Sequence, residues 1–136
     1  MFEIVESTYS DPVRMIAKPG VVFIPGQIVM TRETEDGNTV CDLADGSMRA
    51  LGLAGNECYV KKLSFLMADM VEVWSQRMIF RCDQYEVGTK FGPGSPLYVG
   101  KNGLFTSKPQ SEDFPWVARV TMVPNNKHEY FEAQWL

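Results

Sequence analysis

Apolar residues fall in short runs along this chain, most of them four to eight residues long, and eleven glycines and eight prolines cut the runs apart. Such punctuation predicts many short strands joined by tight turns. Two segments alternate with period two. In Trp116–Val123, Ala118, Val120 and Met122 share one side while Arg119 and Thr121 share the other. In Glu129–Leu136, Phe131, Ala133 and Trp135 alternate with Tyr130, Glu132 and Gln134. Both read as strands buried on one face, and the chain is expected to end in a strand tied into a sheet. Upstream, Val21–Ile24 is a continuous apolar run closed by Pro25-Gly26, a pair suited to the centre of a type II turn, with the next strand at Gln27–Glu33. Asp36-Gly37 supplies a hairpin turn, so Val40–Leu43 should pair back. Ala44-Asp45-Gly46 turns the chain again, and Ala50–Ala54 forms a short strand that Gly55-Asn56 ends.

Residues 57–87 contain neither glycine nor proline. Leu63, Met67, Met70 and Trp74 fall at helical spacings, whereas Val71, Val73, Trp74, Ile79 and Phe80 are β-formers. The segment is read as mainly strands, with a single helical turn near Ser64–Asp69. Residues 1–20 hold Pro12, Pro19, Gly20 and Ser7-Thr8-Tyr9-Ser10 with little alternation. They are read as an extended N-terminal arm, which frays or finds a partner. The fold class expected is mainly β: a single small antiparallel β-barrel or β-sandwich spanning 21–136, with little helix and the arm at 1–20.

Length and composition agree with one domain. The chain has 136 residues, of which 45% are hydrophobic and 22% charged, enough apolar material for a core of its own. Its net charge is −4 and its basic residues are scattered, with Lys61-Lys62 the only adjacent pair. This argues against nucleic acid as a direct ligand, because phosphate binding needs clustered cations. No stretch approaches the roughly 20 apolar residues of a membrane span, and the first residues lack the basic start and apolar core of a secretory signal. Cytosolic synthesis without a membrane partner is the expectation.

Candidate chemistry is sparse. Cys41, Cys58 and Cys82 form no CxxC pair and the chain has one histidine, His128, so neither a zinc site nor a disulfide framework is expected, and the cysteines read as reduced core thiols. His128 lies in a turn between the last two strands, and no serine sits in a GxSxG elbow. Glu33, Glu35, Asp36, Asp42 and Asp45 cluster around a hairpin, where they read as a solvated rim rather than a general acid/base pair. Asp42 and Asp45 before Gly46 lack the spacing of a calcium loop. Gly92–Pro96 is glycine-rich, but two prolines remove donors that a phosphate loop needs. No catalytic residue, cofactor or metal is assigned. The eight methionines and the 12% aromatic content, including Tyr98, Phe105, Phe114 and Trp116 beside turns, fit a surface that contacts other proteins.

From Tyr85 the sequence runs through Gly-Ser-Pro-Leu-Tyr-Val, a Gly-Lys-Asn-Gly turn, Leu-Phe-Thr-Ser, a proline-rich loop, Val-Ala-Arg-Val and a final apolar strand. This succession resembles the closing half of tailed-bacteriophage capsid decoration, or cement, proteins. Lys18–Met30 and Met48–Asn56 are similar, more loosely, to that family's opening strands. The resemblance implies a non-enzymatic virion protein, made in the host cytoplasm, that binds the outer surface of the phage head and stabilises contacts between major capsid protein subunits. It also implies a homo-oligomer, a trimer in preference to a dimer. Under this reading the arm residues Phe2, Ile4, Val5, Tyr9, Val13 and Met15 grasp the capsid, and Tyr98, Phe114 and Trp116 serve self-association. The alternatives are a phage tail or baseplate component, a small β-barrel adaptor and, last, a small hydrolase.

Overall fold

In the computed structural model, which describes residues 1–8, 11–110, 113 and 115–136, alternation becomes burial as expected. β10 (Ala118–Met122) buries Ala118 and Val120 and exposes Arg119 and Thr121. β11 (Phe131–Trp135) buries Phe131, Ala133 and Trp135. The other strands are β1 (Phe2–Ser7), β2 (Val13–Ile16), β3 (Ile28–Glu33), β4 (Thr39–Leu43) and β5 (Gly52–Ala54). They continue with β6 (Met70–Trp74), β7 (Met78–Cys82), β8 (Pro96–Val99) and β9 (Phe105–Thr106). The only helical pieces among the described residues are single 3-10 turns at Met67–Asp69 and Lys101–Gly103, and no helix is long and apolar enough to cross a membrane.

The strands form two antiparallel sheets packed as a sandwich, not a closed barrel. One has the order β1-β7-β11-β10-β8-β9 and the other β2-β6-β5-β3-β4. Ile28, Met30 and Leu53 of the five-stranded sheet meet Phe80, Leu97, Val120 and Phe131 of the six-stranded sheet in the main core. The five-stranded sheet is buried on its other face too. Val29, Cys41, Ala54, Val71 and Val73 pack there against Ala17, Phe23 and Val60 from the connections that cross it. A parallel bridge between Ala17 and Cys41 brings the end of β2 onto β4, so this sheet curls around the second core. The outer face of the six-stranded sheet is polar. Arg81 reaches Glu132 at 3.3 Å and Glu3 at 4.0 Å, and the Thr121 hydroxyl donates to Glu132 at 2.8 Å, a row crossing β1, β7, β11 and β10.

Three expectations change in detail. Residues 1–20 are extended, but they lie along the domain: β1 pairs with β7 and β2 with β6, so the segment supplies an edge strand to each sheet. On the side that faces each sheet, the backbone donors and acceptors of β1 and β2 thereby find partners within the chain. Val21–Ile24 forms no ladder, only a bridge from Phe23 to Cys58, because turns on both sides leave it too short to pair. The second of these turns is the expected Pro25-Gly26 turn: Gly26 has φ +95° and Gln27 N–H donates to the Ile24 carbonyl at 3.1 Å. Finally, Asp42 does not belong to a solvated rim. Its carboxylate is nearly buried and accepts from Arg32 Nε at 2.7 Å and Lys18 Nζ at 3.3 Å, while Glu33, Glu35, Asp36 and Asp45 are exposed. Arg32 lies two residues beyond Asp42's partner Met30 on β3, and Lys18 arrives where the chain leaves β2.

Candidate interaction surfaces

The three thiols sit where burial keeps them protonated. Burial pushes the Cys41 thiol up to about 12, helped by the neighbouring Asp42 carboxylate, and burial alone is the main cause that takes Cys82 to about 12. The Cys82 thiol donates to the Gly26 carbonyl at 3.4 Å and accepts from Gln84 N–H at 3.2 Å. Cys58 is raised as well, by burial and then by Asp69. Neutral thiols are poor nucleophiles. His128 closes the Asn125–His128 turn and stacks on Tyr130, with centroids 4.1 Å apart. Among the described residues no three His, Cys, Asp or Glu side chains converge as a metal site.

The structure leaves large apolar side chains exposed at several places, and four of them, Tyr59, Phe65, Leu66 and Met67, lie on the connection between β5 and β6. The base of this connection is pinned to β6. Gly55 N–H donates to the Glu72 carbonyl at 2.8 Å, and the Asn56 side chain donates to the Met70 carbonyl at 3.1 Å while accepting from Glu72 N–H at 2.8 Å. Further along, Cys58 bridges Phe23, and the Val60 carbonyl accepts from Gly20 N–H while its side chain enters the second core. Beyond Val60 the chain leaves the core. Phe65, Leu66 and Met67 are 62%, 69% and 64% exposed, three consecutive large apolar side chains with no cover. They are nonetheless held in one shape. The Ser64 hydroxyl donates to Asp69 at 2.6 Å and accepts from Leu66 N–H at 3.3 Å, and Asp69 N–H donates to the Leu66 carbonyl at 2.9 Å.

Two further apolar areas exist. Val22, Ile24 and Tyr59 flank the Phe23–Cys58 bridge on its outer side and line a shallow groove with Glu57. At the opposite end of the β5–β6 pair a groove of about 300 Å³ is bordered by Met48, Leu51, Trp116, Trp135 and Leu136. β5 runs from this groove toward the tip and β6 runs back from tip to groove, so the two features cap opposite ends of the same strands.

The residues expected to grasp a partner are divided. Phe2 and Ile4 pack against the main core and Met15 against the second, so these three serve the domain itself. Val5, at a bulge in β1, and Val13, on β2, remain exposed at 45% and 59%. Tyr9 lies outside the described residues. Of the residues expected to self-associate, Trp116 borders the groove and carries the Arg119 guanidinium 5.1 Å from its ring centroid. Tyr98 is half-buried on β8 between the buried Leu97 and Val99, and Phe114 lies outside the described residues. Phe65 and Leu66 escaped the sequence reading because an unbroken apolar run looks the same whether it fills a core or crowns a loop. No family model, curated protein or solved structure matches the chain.

Proposed function

We propose that this protein is a non-enzymatic component of a tailed-phage virion that adds to the outer surface of the head and stabilises junctions between major capsid protein subunits. The observation that carries the reading is the order of the C-terminal phrases. Pro96–Val99, the Lys101–Gly103 turn, Phe105–Thr106, Ala118–Met122 and Phe131–Trp135 occupy β8, the turn, β9, β10 and β11 of a single sheet. The resemblance to capsid decoration proteins rests on that order. Ordered apolar surface is consistent with work by contact, since apolar area removed from water is the main source of affinity between proteins. Self-association as a trimer, in preference to a dimer, belongs to the same proposal. An oligomer that touches several capsid subunits gains from multivalency, because the first contact raises the effective concentration for the next.

The test is to mix purified protein with undecorated heads of its own phage and measure the bound fraction by sedimentation. Saturable binding to a fixed number of sites per head is expected. A folded protein that fails to bind overturns the proposal.

A further inference from the structure

We propose that the shell-binding element is the β5–β6 connection, whose Phe65–Leu66–Met67 tip enters an apolar pocket bordered by carboxylates on the capsid protein. This rests on the head-surface reading above and names the contact within it.

Three observations point to such a pocket. The first is the tip itself: three adjacent large apolar side chains are left in water, while the polar groups beneath them fix the turn through Ser64 and Asp69. A loop already locked in its shape loses little conformational freedom on docking, so more of its apolar contact appears as affinity. The second is charge. Lys61 and Lys62 are exposed, stand a few residues before the tip, and join no ion pair among the described residues. They are the only adjacent basic pair in a chain of net charge −4; the acids of the same connection are Glu57, four residues before them, and Asp69, bonded to Ser64 beneath the tip, so carboxylates on the partner complement the two lysines beside it. The third is placement. The connection projects from the end of the five-stranded sheet, and its base is hydrogen-bonded to β6 through Gly55 and Asn56, so force on the tip passes directly into a sheet buried on both faces. Of the described residues an arm-based clasp would use, Phe2, Ile4 and Met15 are occupied within the domain, and Val5 and Val13 alone stay exposed.

The experiment compares full-length wild type with four variants for binding to undecorated heads of its own phage. F65S/L66S/M67S removes the tip, and L66S alone is its milder counterpart. K61E/K62E reverses the charge, and M48S changes the groove at the far end. Thermal unfolding by circular dichroism accompanies each. The triple variant should keep the wild-type melting temperature and lose at least about a hundredfold in affinity, and L66S about tenfold, as expected for apolar anchors that become fully buried. K61E/K62E should lose about tenfold and flatten the dependence of affinity on salt. M48S should bind as wild type does.

If wild type binds heads and the tip variants bind equally well, the tip assignment fails while the head-surface reading stands. If folded wild type does not bind heads, the head-surface reading itself fails. Two further results overturn the assignment by naming another occupant. One is a tip variant of lower solution mass than wild type, which places a second copy on the tip. The other is tip-dependent co-flotation of wild type with phosphatidylserine vesicles, which places a bilayer there. Should the triple variant melt early, L66S and K61E/K62E still decide the matter.

Discussion

Phe131 offers the most direct test of how the six-stranded sheet is held. It sits fully buried on β11, between β7 and β10, and its ring meets four others. The centroids of Phe105 and Phe91 lie 5.2 Å away, Phe80 5.9 Å and Tyr85 6.0 Å. The glycine- and proline-rich passage after β7 is thus stapled to the sheet through Tyr85 and Phe91, both of which touch this one ring. Replacing Phe131 with alanine removes a buried aromatic side chain and leaves a cavity among rings that cannot collapse together, at a cost of about 3–5 kcal/mol. Loss of the edge-on contacts with Phe80 and Phe105 is contained in that figure, at ~0.5–1.5 kcal/mol per pair. Domains of this size have only about 5–15 kcal/mol of stability in total. F131A should therefore melt roughly 10–15 °C below wild type and shift the urea midpoint without changing the slope. F131L, which keeps most of the apolar volume, should cost about 1–2 kcal/mol. Equilibrium urea unfolding followed by tryptophan fluorescence measures both. A loss below about 1 kcal/mol in F131A would refute the idea that this ring joins the cluster.

Other perturbations have equally definite outcomes. D42N keeps the shape but removes the charge that Arg32 and Lys18 share; because those cations are 38% and 41% exposed, solvent screens them, and the expected loss is only about 1–2 kcal/mol in urea unfolding. G26A should cost about 2–3 kcal/mol, since Gly26 has φ +95° and an added Cβ would fall 2.7 Å from Cys82 Sγ. Combining it with C82A should recover the steric part and leave the backbone part, so the double-mutant cycle is non-additive. Alkaline pH should destabilise the protein through Cys41 and Cys82. Their folded pKa values, near 12, stand above the ordinary value of about 8.5. Their stabilising contribution is complete below about pH 8.5 and is lost as pH rises toward 12, roughly 2 kcal/mol per thiol by pH 10. C41A should show a shallower alkaline decline of urea stability than wild type, and an equal decline would refute the assignment. With a thiol reagent at pH 8, Cys58 should react first, and Cys41 and Cys82 only on unfolding.

Burial on one side of a strand leaves a local mark, which is why β10 and β11 were legible from alternation alone. The Asp36-Gly37 and Pro25-Gly26 turns were legible for a similar reason. Glycine is the residue that takes a positive φ without strain, and Gly26 and Gly37 do so at +95° and +83°. The stretch from 57 to 87 reads as mainly strands with one helical turn; β6, β7 and the Met67–Asp69 turn lie there, while 57–66 is an irregular connection that makes one bridge at Cys58. The strand assignment at 71–80 follows from β-branched and aromatic residues, which fit a pleated, half-buried surface.

The tertiary structure decided the rest, because it depended on groups far apart in the chain. Nothing near Phe2–Ser7 reveals that its ladder partner is Met78–Cys82, or that a bulge between Ile4 and Glu6 leaves Val5 without a partner in that ladder. Asp42 looks like any hairpin acid until the chain leaving β2 brings Lys18 beside it. The sharpest case is the tip. Val71 and Val73 are apolar and buried, whereas Phe65, Leu66 and Met67, only a few residues earlier, are apolar and bare. The sequence determined only that these side chains are apolar and gain free energy when covered. Whether the fold covers them depended on where the β5–β6 connection leaves the second core, a property of the assembled sheets that no local pattern encodes.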